Sequence, residues 1–279
     1  MGVLRLSDIV RLQNDDGGWG PFHTLGTPTR QNALTTEQAL RRLIALGMGI
    51  KDEPIAKALC YMRNVLDKKT VPPDRRDRVL NWDYFEAMMM AAWIKLLSPE
   101  DDQAGKIAGF WANIVEKSVY QGSFEENDRY KKIYRAYVPK LNGREREIGA
   151  AQFYMVTLLR GMLSSSAERA YFNYVLHNAD GIYYVYHKNI SQVPKPFASI
   201  ETSRYLAALE CLAGYSCARR ELRFAAEWIK ANRLPDGMWD LGAQAKDGIY
   251  LPLSDNWRTA ENRKKDCTAR VGRILNKLL

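Results

Sequence analysis

Five stretches of this chain repeat apolar residues at three- and four-residue steps, and each carries acid near its start: Glu37, Asp83 with Glu86, Glu147, Glu201 and Asp266. Carboxylates that crowd one cavity push one another's pKa values apart, and that gives a site both an acid and a base. Aromatic and basic residues stand beside them. Trp82 and Tyr84 flank Asp83, Arg204 and Tyr205 follow Glu201 by about a turn, and Tyr154 follows Glu147 by about two. Facing a cavity, such rings stack on a sugar or stabilise a carbocation. The same residues have a plainer use. Acids at a helix start contribute roughly 0.3–1 kcal/mol through capping and the dipole. Glu37–Arg41 and Asp266–Arg270 are also ordinary i,i+4 ion pairs, and aromatics at helical spacing fill cores.

The catalytic candidates are therefore Asp83, Glu86, Glu147, Glu201 and Asp266. The substrate-binding candidates are Trp82, Tyr84, Arg204, Tyr205, Trp257, Arg258 and Arg270. Trp257 and Arg258 end the segment Tyr250–Arg258, which joins the last turn to the last helix and is placed to act as a lid. The loop between Tyr120 and Arg146 is rich in Tyr and basic residues and is a second candidate cover.

These groups ride on helices. The acid-bearing helices are expected at Leu34–Leu46, Asp83–Leu97, Glu147–Leu163, Ser199–Leu212 and Thr259–Leu278, and no clear strand pattern accompanies them. Each follows a more amphipathic helix that ends at one of the positions 13, 66, 118, 177 and 233, with spacings of 53, 52, 59 and 56 residues. Near-equal steps of that size mark a repeat architecture, with units at about 1–47, 48–97, 98–163, 164–213 and 214–279. Links within a unit are long and links between units are short. In an alternating array all the long links share one face, where binding and chemistry usually reside.

Two turns carry the clearest copy of the repeat. Gln13-Asn14-Asp15-Asp16-Gly17-Gly18-Trp19 has the form Gln-x-x-x-Gly-x-Trp, and Arg233-Leu234-Pro235-Asp236-Gly237-Met238-Trp239 repeats it with Arg in place of Gln. This resembles the QW motif of the squalene-hopene and oxidosqualene cyclases, whose repeat is shared by the prenyltransferase β-subunits. The resemblance implies an all-α protein, an α/α toroid of about five helical hairpins with inner and outer helices alternating, in a single domain over 1–279. It also implies that Gln13, Trp19 and Trp239 are scaffold residues, and that the acids ring one mouth of the toroid. The families' catalytic signatures are not found. Asp-x-Asp-Asp and Asp-Asp-x-x-Asp are missing, and Asp266 and Cys267 are adjacent where a zinc-binding Asp-x-Cys would be spaced.

The bulk numbers narrow the field. A hydrophobic share of 46% is enough for a sizeable core. The net charge of +9 is spread over scattered basic pairs such as Arg41-Arg42 and Arg75-Arg76, as on a solvated surface. No nucleic-acid-binding signature accompanies them. Four cysteines without a C-x-x-C pair suit a reducing cytosol, no signal peptide is visible, and no transmembrane segment is expected. No cofactor or metal is expected. Three functions compete. One is an enzyme acting on an isoprenoid or other apolar small molecule in the central cavity, with acid catalysis by a mouth carboxylate. Another is a carbohydrate-active hydrolase or lyase with two carboxylates about 5–10 Å apart. The third is a non-catalytic binding module. Five hairpins leave an edge to be capped by the N-terminal segment or by a second subunit in a homodimer.

Overall fold

The computed structural model describes residues 5–23, 34–140 and 143–279. The chain is mostly helical. It runs α1 (Leu6–Arg11), α2 (Thr36–Ala45), α3 (Glu53–Leu66), α4 (Trp82–Leu97) and α5 (Asp102–Ser118). A short antiparallel hairpin follows, β1 (Val119–Tyr120) and β2 (Ser123–Phe124), then a π-helical turn (Glu126–Tyr130) leading into α6 (Lys131–Tyr137). The remainder is α7 (Phe153–Leu158), α8 (Ser165–His177), α9 (Ile200–Leu212), α10 (Ala218–Glu221), α11 (Arg223–Ala231) and α12 (Ala260–Leu278). Among the described residues, no helix is long and apolar enough to cross a membrane.

Four of the five expected acid-bearing helices lie within a residue or two of their expected bounds, as α2, α4, α9 and α12. The third differs. The helix expected over Glu147–Leu163 is only α7, Phe153–Leu158, so Glu147 lies in the loop before it. Gly149 and Gly161 bracket α7, and Gly161 takes the left-handed φ of 69° that ends its turn. The loop Val119–Arg146, expected to lack regular structure, contains the hairpin, the π-helical turn and α6.

Burial orders the helices. In α4 the run Met88-Met89-Met90-Ala91-Ala92-Trp93-Ile94 is buried on every side. A helix apolar all round must be enclosed, and α3, α5 and α7 pack on it. The contacts continue from α7 to α9, from α9 to α12 and from α12 to α11. The first and last hairpins also meet. Arg42 donates to the Ile249 carbonyl at 3.3 Å, Arg273 of α12 to the Ala45 carbonyl at 3.4 Å, and Arg5 lies 3.6 Å from Asp255.

The two best-matched turns carry the same hydrogen bonds. Trp19 Nε1 donates to the Ile9 carbonyl at 2.7 Å, and Trp239 Nε1 to the Ile229 carbonyl at 2.8 Å. The Trp19 and Trp239 amides donate to the hydroxyls of Thr36 in α2 and Thr268 in α12. Gln13 Nε2 bridges the carbonyls of Gly17 and Pro54, and so ties the turn to α3; Arg233 Nε reaches the Gly237 carbonyl alone. The weaker copies diverge at the Trp position. Phe124 and Pro72 are buried there, whereas Tyr183 is half exposed.

Gly17 has φ +95°, and a Cβ there would stand 2.4 Å from the Lys57 carbonyl oxygen. Gly17→Ala should therefore cost about 2 kcal/mol or more, whereas Gly122→Ala, at φ +78° but with open space around it, should cost only about 1 kcal/mol. Urea unfolding midpoints of the two variants check this difference.

Candidate functional site

The turn at Trp19 delivers the chain onto the start of α2. The first backbone N–H groups of a helix have no partner inside it. Here the Thr36 and Glu37 amides donate to the carbonyls of Pro21 and Phe22. The next residue, His23, is thereby fixed above α2 and α4. Its ring is buried and packs on Phe85, Tyr154 and Tyr184. Asp74, from the loop before α4, holds the same backbone from the other side. Its two oxygens accept from the Phe22 amide at 2.6 Å and the His23 amide at 2.8 Å.

His23 Nε2 lies 2.8 Å from the Tyr184 hydroxyl. Tyr184 sits at φ +75°, a left-handed conformation rare for a bulky residue. The turn around it imposes that conformation. The Ile182 amide donates to the Tyr186 carbonyl, the Val185 and Tyr186 amides donate to the Ile182 carbonyl, and Gly181 gives the passage a side chain would block. Strain of this kind persists where the surroundings over-determine it, and it concentrates at functional sites.

The His23–Tyr184 pair stands at the wall of a cleft of about 1310 Å³ lined largely by residues of the interhelical loops. Trp82, Phe85 and Tyr184 give that cleft an aromatic surface, and its charged lining is mixed, with Arg75, Arg76, Arg78 and Arg146 beside Asp74, Asp77, Glu126, Glu147 and Asp180. The Arg146 amide donates to the Val79 carbonyl, which joins the two loops that bear the arginines. Burial lowers the pKa of His23, against the raising influence of the Glu37 and Asp74 charges. Burial also raises the pKa of Asp74, against its two amide bonds. Burial raises that of Tyr184 as well, with Tyr183 and Glu37 adding to the effect. At neutral pH the pair is thus a neutral imidazole facing an intact phenol, an arrangement able to relay a proton.

Of the residues singled out from sequence, only Trp82 and Glu147 line this cleft. Glu147 is held by Arg135; burial pushes its carboxyl pKa up, but the Arg135 bond, its own backbone amide and the Arg135 and Lys140 charges together bring it below the ordinary value. Asp83 is exposed and pairs with Arg76 at 3.7 Å. Glu86 is buried and accepts from Trp82 Nε1 at 3.1 Å. Glu201 accepts from the Tyr186 hydroxyl and from Lys188. Asp266 is buried and binds the Leu253 and Ser254 amides, pinning the last long loop. The structure therefore gives these acids separate partners in place of one shared cavity. Tyr84 packs on Phe110 and Trp111, Tyr205 donates to the Ile190 carbonyl, and Trp257 is buried in the loop. Arg204 and Arg258 are exposed. Arg270 is buried, bonded to Ser203 and Glu210, with its guanidinium over the Tyr250 ring.

Glu37, the remaining helix-start acid, occupies the interior. One oxygen accepts from Arg41 at 2.9 Å and from Trp93 at 3.3 Å, and the other accepts from the Tyr154 hydroxyl at 2.9 Å. Arg41 continues to the Tyr250 hydroxyl at 2.7 Å and stacks 3.9 Å from the Phe153 ring centre. These side chains occupy the interior between α2, α4 and α7. His23, Asp74, Tyr184 and the four arginines escaped the reading of acids and helix starts. Their available signals were a histidine just beyond the first turn and the dense charge of Asp74-Arg75-Arg76-Asp77-Arg78 inside a long loop.

No known protein family matches the chain, and no curated protein or solved structure does either.

Two outcomes test this geometry. Glu37→Leu leaves Arg41 buried without its carboxylate and should cost about 3–5 kcal/mol by urea denaturation. For His23 the unfolded chain takes up protons below its ordinary pKa near 6.5, while the folded state resists until its lowered value. Stability is full above that pH and falls as pH drops through the window below it. Between pH 7 and 5.5 the wild type should lose more stability than His23→Gln, read from thermal melts across that range.

Proposed function

We propose that the protein is an enzyme of an α/α toroid, built from alternating inner and outer helices, that takes an anionic small molecule with an apolar body into the long-loop cleft. The reading is supported by the alternation of amphipathic and buried helices, by the contact between the first and last hairpins, and by the two matching turns. The resemblance of those turns to the cyclase and prenyltransferase repeat points to an isoprenoid-type body. The proposal moves the ligand from the central cavity to the cleft, and moves the proton chemistry from the helix-start acids to the His23–Tyr184 pair.

The observation that carries it is the pairing of surfaces in one cleft: rings from Trp82, Phe85 and Tyr184 beside guanidiniums from Arg75, Arg76, Arg78 and Arg146, while of the acids in the same lining Asp74, Asp77 and Glu126 accept backbone amides and Glu147 is held by Arg135. Apolar surface is driven onto the rings, and arginine forks receive phosphate or carboxylate oxygens in bidentate geometry. The Tyr184 oxygen then takes a proton from the bound molecule while its own proton passes to Nε2 of His23. Asp74 positions the imidazole through the backbone.

Geranyl diphosphate, titrated by calorimetry, tests the reading. The wild type should bind it, with affinity falling as salt is raised. Arg75→Ala combined with Arg146→Ala should weaken binding by on the order of tenfold or more, while Tyr184→Phe should retain it. Equal affinity in the arginine variant would sink the proposal. Binding of an acidic oligosaccharide such as a uronate trisaccharide, with none of geranyl diphosphate, would replace the isoprenoid body by a sugar and favour the carbohydrate-active alternative.

A further inference from the structure

Gln152 lines the same cleft and is only 5% exposed, yet its Nε2 has no hydrogen-bond partner among the described residues. An amide donor left unpaired in a buried site costs on the order of 1–3 kcal/mol, so natural structures rarely keep one without use. Gln152 is also firmly placed. Its backbone pairs with Tyr183 in an isolated parallel bridge, flanked by bonds from the Tyr183 amide to the Ala151 carbonyl and from the Phe153 amide to the Tyr183 carbonyl. That bridge sets Gln152 opposite Tyr183, the residue before Tyr184, whose hydroxyl meets His23. The arginines stand on the loops of residues 73–80 and 143–149, so the cleft offers cations from two loops and a neutral N–H donor from the strand bridge next to the proton-relaying pair.

We infer that Gln152 is the specificity-determining residue of the cleft, donating from Nε2 to an uncharged oxygen acceptor, such as a carbonyl, on the part of the substrate next to Tyr184. The inference rests on the anionic-ligand reading above and narrows it. The substrate is anionic at one end and carries a neutral oxygen near the reacting position, and a purely hydrocarbon tail leaves the donor idle. Glutamine suits this task because its amide keeps the same charge at every working pH. A site built to hydrogen-bond one oxygen also discriminates strongly against the analogue without it.

A matched pair of probes tests it: 4-acetylphenyl phosphate and 4-ethylphenyl phosphate, which differ by one carbonyl oxygen. Calorimetry should show the wild type preferring the acetyl compound by on the order of tenfold, the effect of one buried hydrogen bond. In Gln152→Leu the preference should fall to within about twofold, with the ethyl compound bound as before. The thermal midpoint of Gln152→Leu should be no lower than that of the wild type, because a buried unpaired donor has been replaced by an apolar group of similar size. Equal affinities in the wild type, a preference that survives Gln152→Leu, or a clear drop in that variant's thermal midpoint each overturn the inference and leave the arginine wall standing. Failure of either phosphate to bind the wild type overturns the anionic-ligand reading and the inference with it.

Discussion

One buried carboxylate governs the interior. Glu37 is wholly enclosed, and a charge in that position is tolerable only with a full set of partners. Arg41, Trp93 and Tyr154 provide them from α2, α4 and α7. Each partner is thereby fixed in place, and each supports something else. Arg41 reaches Tyr250 in the last long loop. Tyr154 packs on His23, and Trp93 packs on Phe153. The helices that flank the interior are registered to one another through this group, and the cleft above inherits its floor from it.

The link from packing to chemistry runs through the first turn. Trp19 hangs from Ile9 and Thr36, the Pro21 and Phe22 carbonyls cap α2, and His23 follows at once. A scaffold joint and a candidate reacting group are thus four residues apart. Asp74 performs a similar double task, since it closes the loop before α4 over the same backbone. The cleft is the meeting of four loop segments, joined by the main-chain bonds Arg146 to Val79 and Tyr183 to Ala151 and by the Asp74 carboxylate on the Phe22 and His23 amides.

Helix positions were legible because apolar spacing reports burial directly. α4 and α9 announce themselves by runs that no exposed segment would carry, and Thr35 with Gln38 forms the capping box that opens α2. The shortness of α7 was not legible. The stretch from Glu147 to Leu163 has helical spacing throughout, but a backbone bridge from Gln152 to Tyr183 occupies its first part, and such a pairing leaves no local trace. The acids misled for a related reason. A carboxylate at a helix start looks the same whether it faces a cavity, as supposed for Asp266, or grips two loop amides, as Asp266 does. The cleft residues come from segments far apart in sequence, and only the fold assembles them. His23 and Tyr184 are 161 positions apart.

The bond between Arg41 and Tyr250 spans 209 positions, and that from Arg273 to Ala45 spans 228. Helical proteins usually fold quickly because most of their contacts are local. This chain departs from that pattern at its seam. During synthesis α2 emerges with Glu37, Arg41 and Arg42 some two hundred positions ahead of Ile249 and Tyr250, so its arginines stay without these partners while that length of chain is made. The charged pair of arginines on α2 is thus exposed to solvent until the seam closes.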